Sequence, residues 1–278
     1  MKPERPRPKA RQYVEDLAAA GRYHFLLKEA QKALGISAAA VKVTLSRLSK
    51  HGVIASPARG FYVIVPPEYR SLGCLPADQF IPALMKTLNL PYYVGLLTAA
   101  EYHGAAHQRP QQFQVFLEKR RLPITCGRVR VAFLIRKRLR EVAVQSLNTP
   151  RGTLLVSTPE ATALDLVGYP HQAGGLNNVA TVLSELAEKI DSAKLAAAAT
   201  AAPVPWAQRV GYLLDLVGAP EKAAPLKQYV RARARESAPL LAQSRKPKAP
   251  NSRRPRRDKA IRDDGWKLYV NTEVQPDL

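Results

Sequence analysis

The sequence has 278 residues, enough for one large globular domain or two smaller ones. It carries 43 Lys and Arg against 22 Asp and Glu, a formal net charge of +21, which favours a polyanion such as nucleic acid as partner. No apolar stretch follows the charged first residues, and no run approaches the roughly 18 apolar residues of a membrane span, so neither a secretion signal nor a membrane anchor is predicted. Cys74 and Cys126, without a CxxC motif, indicate a reducing cytoplasm and no structural zinc.

Residues 1–9 form a basic arm of Pro, Arg and Lys that has too few apolar side chains for a core. Behind the arm, the spacing of Tyr13, Val14 and Leu17 predicts a first amphipathic helix. A second helix is predicted over residues 25–34, because apolar side chains again recur on one face.

Gly35 supplies the left-handed turn after the second helix, and Ser37 is a natural N-cap for a third. The apolar stripe of the third helix comprises Val41, Leu45 and Leu48. Two β-prone runs then flank Ser-Pro-Ala-Arg-Gly, which predicts a hairpin over residues 53–65. Two helices around a short turn, followed by a hairpin, predict a winged helix-turn-helix domain over residues 10–66.

The face of the third helix opposite the stripe is small and basic, which suits the major groove of DNA. Small Ala38 and Ala39 permit close approach, Lys42 and Ser46 are expected to read bases, and Arg47 is expected to hold a phosphate. At the wing tip, an arginine suits the minor groove or a phosphate. The predicted DNA-binding residues of the third helix, the wing and the arm are Ala38, Ala39, Lys42, Val43, Ser46, Arg47, Lys50, Arg59, Arg5, Arg7 and Lys9. The alternative is a three-helix unit whose charged face is only solvated.

Two prolines open a predicted linker over residues 66–76, and residues 78–243 are predicted to form a larger mixed α/β domain. Alternating apolar residues predict strands at 112–118 and 128–134. Thr158-Pro159-Glu160 combines a capping hydroxyl, a proline and an acid, as helix starts do.

Residues 244–262 are a basic, proline-containing segment, and residues 263–278 are expected to contain a last strand. The predicted fold class is therefore mixed α+β: an N-terminal winged helix-turn-helix followed by a larger α/β C-terminal domain.

The larger domain offers little for catalysis. His103 and His107 are spaced i, i+4, but Gly104 between them indicates a helix end rather than a metal pair. Glu160 and Asp165 resemble a nuclease acidic pair, yet the helix start explains Glu160. Neither a phosphate-binding loop nor a dinucleotide-binding glycine pattern occurs. We therefore predict no catalytic residue, no metal ligand and no cofactor.

Two stretches concentrate positive charge. Residues 119–140 contain many Lys and Arg and no acid, which favours a second DNA-facing surface over a merely solvated face. Within it, the predicted phosphate contacts are Arg128, Arg130, Arg136 and Arg138. Residues 227–262 form the other stretch, which is either a solvated tail or an additional non-specific phosphate contact.

Four segments together resemble the AbiEi antitoxins, over roughly residues 11–271. They include Tyr-Tyr-Val-Gly and Ser-Thr-Pro-Glu, and they span residues 92–110, 156–166, 171–179 and 206–214. The resemblance implies an antitoxin of a type IV toxin–antitoxin operon that represses its own promoter by binding inverted repeats. It also implies that the C-terminal domain counters a nucleotidyltransferase toxin without a stable complex between the two proteins.

Two other functions stay open from the sequence. One is a winged-helix regulator whose C-terminal domain senses a ligand, which a neighbouring nucleotidyltransferase gene would argue against. The other is a nucleic-acid-processing enzyme that uses a winged helix for targeting, which the missing carboxylate constellation argues against.

Overall fold

The computed structural model describes residues 9–105, 110–242 and 261–277, which form a mixed α+β fold. These residues divide into two compact units. The first contains 9–94, 111–139 and 146–155, and the second contains 95–105, 110, 140–145, 156–242 and 261–277. The boundaries predicted from the sequence, at residues 66 and 78, do not coincide with this division.

The first unit begins with the order helix, strand, helix, helix, strand, strand. The bounds are α1 Ala10–Ala19, β1 His24–Leu26, α2 Leu27–Leu34, α3 Ala38–Lys50, β2 Ile54–Ala58 and β3 Phe61–Ile64. The strands form an antiparallel sheet in the order β1-β3-β2. This order of elements is the one predicted for a winged helix-turn-helix, with α3 at the position of the second helix of that motif and the β2–β3 hairpin at the position of the wing.

Local signals fix the helix-turn-helix. Gly35 has a φ of +62° between α2 and α3, and the Ser37 hydroxyl accepts a hydrogen bond from Ala40 N at 3.2 Å. The prediction that a helix begins at residue 25 is wrong, because Phe25 pairs with Tyr62 in the sheet and the helix starts at Leu27.

The two faces of the small sheet are both buried. One face joins the core between the helices, where it contributes Phe25, Ile54 and Ile64. The side chains of Phe61 and Val63 are 2% and 0% exposed, yet they do not belong to that core. Since alternate residues of a strand point to opposite faces, they lie on the second face, which the winged helix alone leaves uncovered.

The rest of the first unit is built around a six-stranded sheet in the order β6-β7-β5-β4-β9-β8, with β5 parallel to β7. It also contains a 3-10 helix, Pro67–Leu72, and α4, Ala77–Leu88. The strands are β4 Tyr93–Val94, β5 Phe113–Leu117, β6 Ile124–Cys126, β7 Val129–Ile135, β8 Val144–Thr149 and β9 Gly152–Ser157, of which residues 144–145 and 156–157 are assigned to the second unit. The predicted linker is wrong: Cys74 and Leu75 are 0% and 1% exposed, so this segment is packed into the unit.

The second unit is mainly helical. Its helices are α5 Leu96–Tyr102, α6 Pro159–Gly168, α7 Leu176–Leu186, α8 Ser192–Ala198, α9 Val204–Leu216 and α10 Pro220–Arg233. Its small sheet has the order β10-β12-β11, with β10 Ala238–Pro239, β11 Ile261–Asp263 and β12 Leu268–Val270. Within the described ranges, no helix has the length and apolarity needed to cross a membrane.

Strands β11 and β12 are attached to α9 by hydrogen bonds from Gln208 and by the packing of the Trp266 ring. Gln208 donates from its amide nitrogen to the carbonyl oxygens of Lys267, at 2.7 Å, and Trp266, at 3.2 Å. The Trp266 ring covers Gly211, where a Cβ would overlap it. The predicted strand near the C-terminus is confirmed, although it is shorter than expected.

Candidate nucleic-acid interface

One face of α3, here called the reading face, is exposed. It comprises Ala38, Ala39, Lys42, Val43, Ser46, Arg47 and Lys50, all predicted DNA-binding residues. Val41 and Leu45 on the opposite side are 0% exposed, which fixes the rotation of the helix about its axis. Apolar burial thus orients the reading face away from the core, as the sequence pattern predicts.

The reading face is positively charged and available. The sequence of α3 contains no acid. In the described part of the chain, no carboxylate forms an ion pair with Lys42, Arg47 or Lys50. Their charges are therefore free to neutralise an external anion.

The wing presents a single guanidinium at its tip. Arg59 is exposed and occupies the turn with Gly60, whose φ is +74°. The Ser56 hydroxyl donates to the carbonyl oxygens of Ala58, at 3.0 Å, and Phe61, at 3.1 Å. These bonds close the hairpin over a bulge in β2 and hold Arg59 at the turn.

A second basic hairpin, β6–β7, packs beside the wing. Strand β6 contacts β2, and the Cys126 sulfur accepts a hydrogen bond from the backbone N–H of Ser56. Arg128 follows Gly127 in the turn of this hairpin, where its N–H donates to Leu72 O at 2.7 Å. Arg128 and Arg130 are both exposed, and neither forms an ion pair with an acid that the structure describes.

One predicted phosphate contact is wrong. The side chain of Arg136 is buried, with 5% of its surface exposed, so it has no access to a DNA backbone. It directly follows the end of β7, two residues after Leu134, which is also buried. Arg138 is exposed, as expected, with a left-handed backbone at φ +56°.

The arm is described only at its end. Lys9 is exposed, and its carbonyl oxygen accepts from Tyr13 N at 3.0 Å at the start of α1. Arg5 and Arg7 lie outside the described residues, as do His107 and most of the basic segment 244–262.

Arg151 was missed by the sequence reasoning. Its guanidinium carbon lies 3.2 Å from the centroid of the Tyr23 ring, and its Nε donates to Gln79 Oε1 at 2.6 Å. Gln79 in turn donates to the Tyr69 hydroxyl at 3.0 Å. Arg151 thus attaches the winged helix to α4 and the 3-10 helix, a role that depends on tertiary contacts and leaves no local sequence signal.

The two cysteines of the first unit face each other beneath the wing. Their thiols are hydrogen-bonded, both are buried, and neither forms a disulfide. The hydrogen bond to Cys126 and burial raise the pKa of Cys74, while the same hydrogen bond lowers the pKa of Cys126. Cys126 is thus the partner that carries the more acidic thiol.

In the second unit, buried polar groups pin the start of α6. Nε2 of His103 donates to the carbonyl oxygen of Ser157 at 2.8 Å, and burial lowers the pKa of this histidine. The Ser157 hydroxyl is hydrogen-bonded to that of Thr162 at 2.7 Å. Glu160 accepts from Asp191 N at 3.0 Å.

These contacts are structural in kind. As predicted, the helix before Gly104 ends at Tyr102, and the Thr158 hydroxyl caps α6 by accepting from Ala161 N at 3.4 Å. Among the described residues, no three His, Cys, Asp or Glu side chains are grouped so that they could hold a metal ion.

Comparison with known proteins identifies the segment from β4 to α9. Residues 93–216 match the family model described as the AbiEi antitoxin C-terminal domain. The crystal structure of the RV2827C protein from Mycobacterium tuberculosis is similar, with 18% identity, a TM-score of 0.65, and coverage of 95% of this chain and 92% of that chain. At this identity the likeness shows the fold alone, and no curated protein matches significantly. This match confirms the resemblance noted in the sequence: residues 93–216 are similar to the AbiEi antitoxin C-terminal domain.

Proposed function

We propose that this protein is a cytoplasmic type IV antitoxin that binds inverted repeats in its own promoter and represses its operon. An antitoxin domain implies a toxin as functional partner. We further propose that this toxin is a nucleotidyltransferase, that it is countered without a stable complex, and that the antitoxin itself catalyses no reaction.

The reading face of α3 is the observation that carries the DNA-binding part of the proposal. A helix whose exposed side has small residues at its N-terminal end and cations further along matches the recognition helix of winged-helix proteins. The small side chains of Ala38 and Ala39 let the helix approach the floor of the major groove. Lys42 and Ser46 then lie within reach of base edges, and Arg47 and Lys50 within reach of phosphates.

The basic hairpin β6–β7 supports a wider contact. Strand β6 contacts the wing strand β2, and Arg128 and Arg130 of this hairpin are exposed, as is Arg59 of the wing. We propose that they hold phosphates flanking the wing contact. On an inverted repeat, two or more copies of the chain bind with the symmetry of the DNA, about 10 base pairs or a multiple apart.

The DNA-binding part is tested by titrating the full chain against the duplex upstream of its gene and against a scrambled duplex of equal composition. The Lys42→Ala/Arg47→Ala variant is expected to lose the preference for the upstream duplex. A matched control, Lys189→Ala/Lys194→Ala, removes the same charge from exposed positions of the second unit and keeps the preference. Equal wild-type binding to both duplexes would contradict autorepression.

Antitoxicity is tested by co-expression with the neighbouring nucleotidyltransferase gene. The wild-type chain is expected to restore growth, although the two proteins do not co-purify. The Lys42→Ala/Arg47→Ala variant is also expected to restore growth, because its changes lie outside the antitoxin domain at 93–216. Failure of the wild-type chain to restore growth would instead favour a regulator without antitoxin activity.

A further inference from the structure

The centre of the reading face is apolar. Val43 lies one turn after Ala39 and one turn before Ser46 and Arg47, so it is flanked on both sides by the proposed DNA contacts. Its side chain is 53% exposed, the only large apolar side chain of the described winged helix that stands exposed.

Packing does not explain this valine. It is absent from the hydrophobic core of the winged helix, including the partly buried side chains around that core. Valine is also a poorer helix former than the alanines that precede it in α3. An exposed β-branched residue at this position therefore stabilises neither the helix nor the core.

The surroundings of Val43 indicate which partner covers it. Lys42, Arg47 and Lys50 surround it with positive charge, so a partner that covers Val43 also brings negative charge. DNA supplies both: phosphates line the groove, and the C5-methyl group of thymine is the one apolar group on the major-groove edge of a base pair.

We propose that Val43 determines sequence specificity by packing against the methyl group of a thymine in each operator half-site. The inference rests on the proposed DNA binding by α3 and adds a base preference to it. Lys42 and Ser46 supply polar contacts to base edges nearby, and the apolar contact selects a T·A pair at the position facing Val43. A cytosine at that position lacks the methyl group and presents an amino donor instead.

The test replaces thymines of the bound duplex one at a time by deoxyuridine, which lacks the methyl group and keeps the base pairing. Replacement of one particular thymine in each half-site is expected to weaken binding of the full wild-type chain about fourfold, which is the effect of losing one buried methyl group. Val43→Ala is expected to weaken binding to the thymine duplex by about the same factor and to leave binding to the deoxyuridine duplex unchanged. The two losses are thus not additive, which is the signature of a direct contact.

Two controls separate this contact from a general loss of apolar surface. Leu216→Ala trims a side chain in α9 that is 41% exposed, and it should keep the full response to deoxyuridine. The melting temperature of Val43→Ala should not fall below that of the wild-type chain, because the side chain is not part of the core and alanine is the better helix former. The role of Val43 is overturned if wild-type binding does not change with deoxyuridine at any thymine, or if the Val43→Ala variant responds to deoxyuridine as strongly as the wild-type chain. Either result leaves the proposed function standing. If the wild-type chain shows no preference for the upstream duplex over the scrambled one, both the role of Val43 and the proposed autorepression are overturned.

Discussion

Replacing Arg128 and Arg130 together by alanine removes the two exposed guanidinium groups of the β6–β7 hairpin from the proposed DNA interface. Both side chains are exposed and lack an acidic partner in the described part of the chain, so their loss leaves no buried charge behind. Arg128 is held in the turn through its backbone, whose N–H bonds Leu72 O at 2.7 Å, and alanine keeps that bond. The hairpin should therefore keep its shape and lose only its charge.

The expected magnitude follows from the release of counterions. Each phosphate neutralised contributes about 0.9 to the slope of log affinity against log salt concentration on duplex DNA. Two phosphates therefore contribute about 1.8, and affinity should fall about 60-fold at roughly 0.1 M salt. At roughly 0.2 M salt the loss shrinks to about 20-fold, because each released counterion gains less entropy at a higher salt concentration.

Fluorescence anisotropy with the upstream duplex, repeated over a series of salt concentrations, measures both slope and affinity. Lys189→Ala/Lys194→Ala is the control, since it removes two exposed cations from the second unit, outside both basic stretches. The wild-type chain and the control should give parallel lines, and the hairpin variant a shallower one. A hairpin variant whose line stays parallel to that of the wild type would refute the contact of Arg128 and Arg130 with phosphates.

Three further predictions concern stability. A Cβ at Gly211 would overlap the ring of Trp266, which is 1% exposed, so Gly211→Ala should lower the free energy of unfolding in urea by about 1–3 kcal/mol. An unchanged urea midpoint would contradict this packing. Burial lowers the pKa of His103 in the folded protein, so the free energy of unfolding should fall as the pH drops from 6.5 through this lowered pKa. His103→Gln keeps a hydrogen-bond donor at this position but does not titrate, and it should therefore reduce the fall. Urea titrations at successive pH values measure it. Arg151→Met should lower the free energy of unfolding by about 1–2 kcal/mol, because the stacking on Tyr23 and the hydrogen bond to Gln79 are lost. Hydrogen exchange should then show faster opening of the winged helix, and unchanged exchange would contradict its attachment through Arg151.

The winged helix could be predicted closely because its signals are local. The cap at Ser37, the turn at Gly35 and the stripe of Val41 and Leu45 each act within one or two helical turns, and the structure places all of them as expected. The start of α2 was missed for the opposite reason. Phe25 sits in a strand because Tyr62, far along the chain, pairs with it.

For Arg136, the alternation of the preceding strand indicated burial, but the prediction followed the local density of positive charge instead. It lies in a run of arginines, and charge density alone made it a phosphate contact. The alternation of the preceding strand, with Leu134 buried and Ile135 47% exposed, would have predicted that the next residue turns inward. Arg151 carried no such signal, since neither Tyr23 nor Gln79 is near it in sequence.

The position of the hairpin β6–β7 determines how the proposed DNA binding and the proposed antitoxicity can be tested separately. It lies within residues 93–216, which match the antitoxin domain model, yet it belongs to the same compact unit as residues 10–66 and contacts the β2–β3 hairpin. A fragment ending at residue 66 would expose the second face of the wing sheet, where Phe61 and Val63 are 2% and 0% exposed in the full chain. Such a fragment is expected to lose stability and affinity together, whatever the hairpin contributes to DNA binding. Point variants on the reading face and on the hairpin avoid this loss, and only they can assign the two activities to separate surfaces.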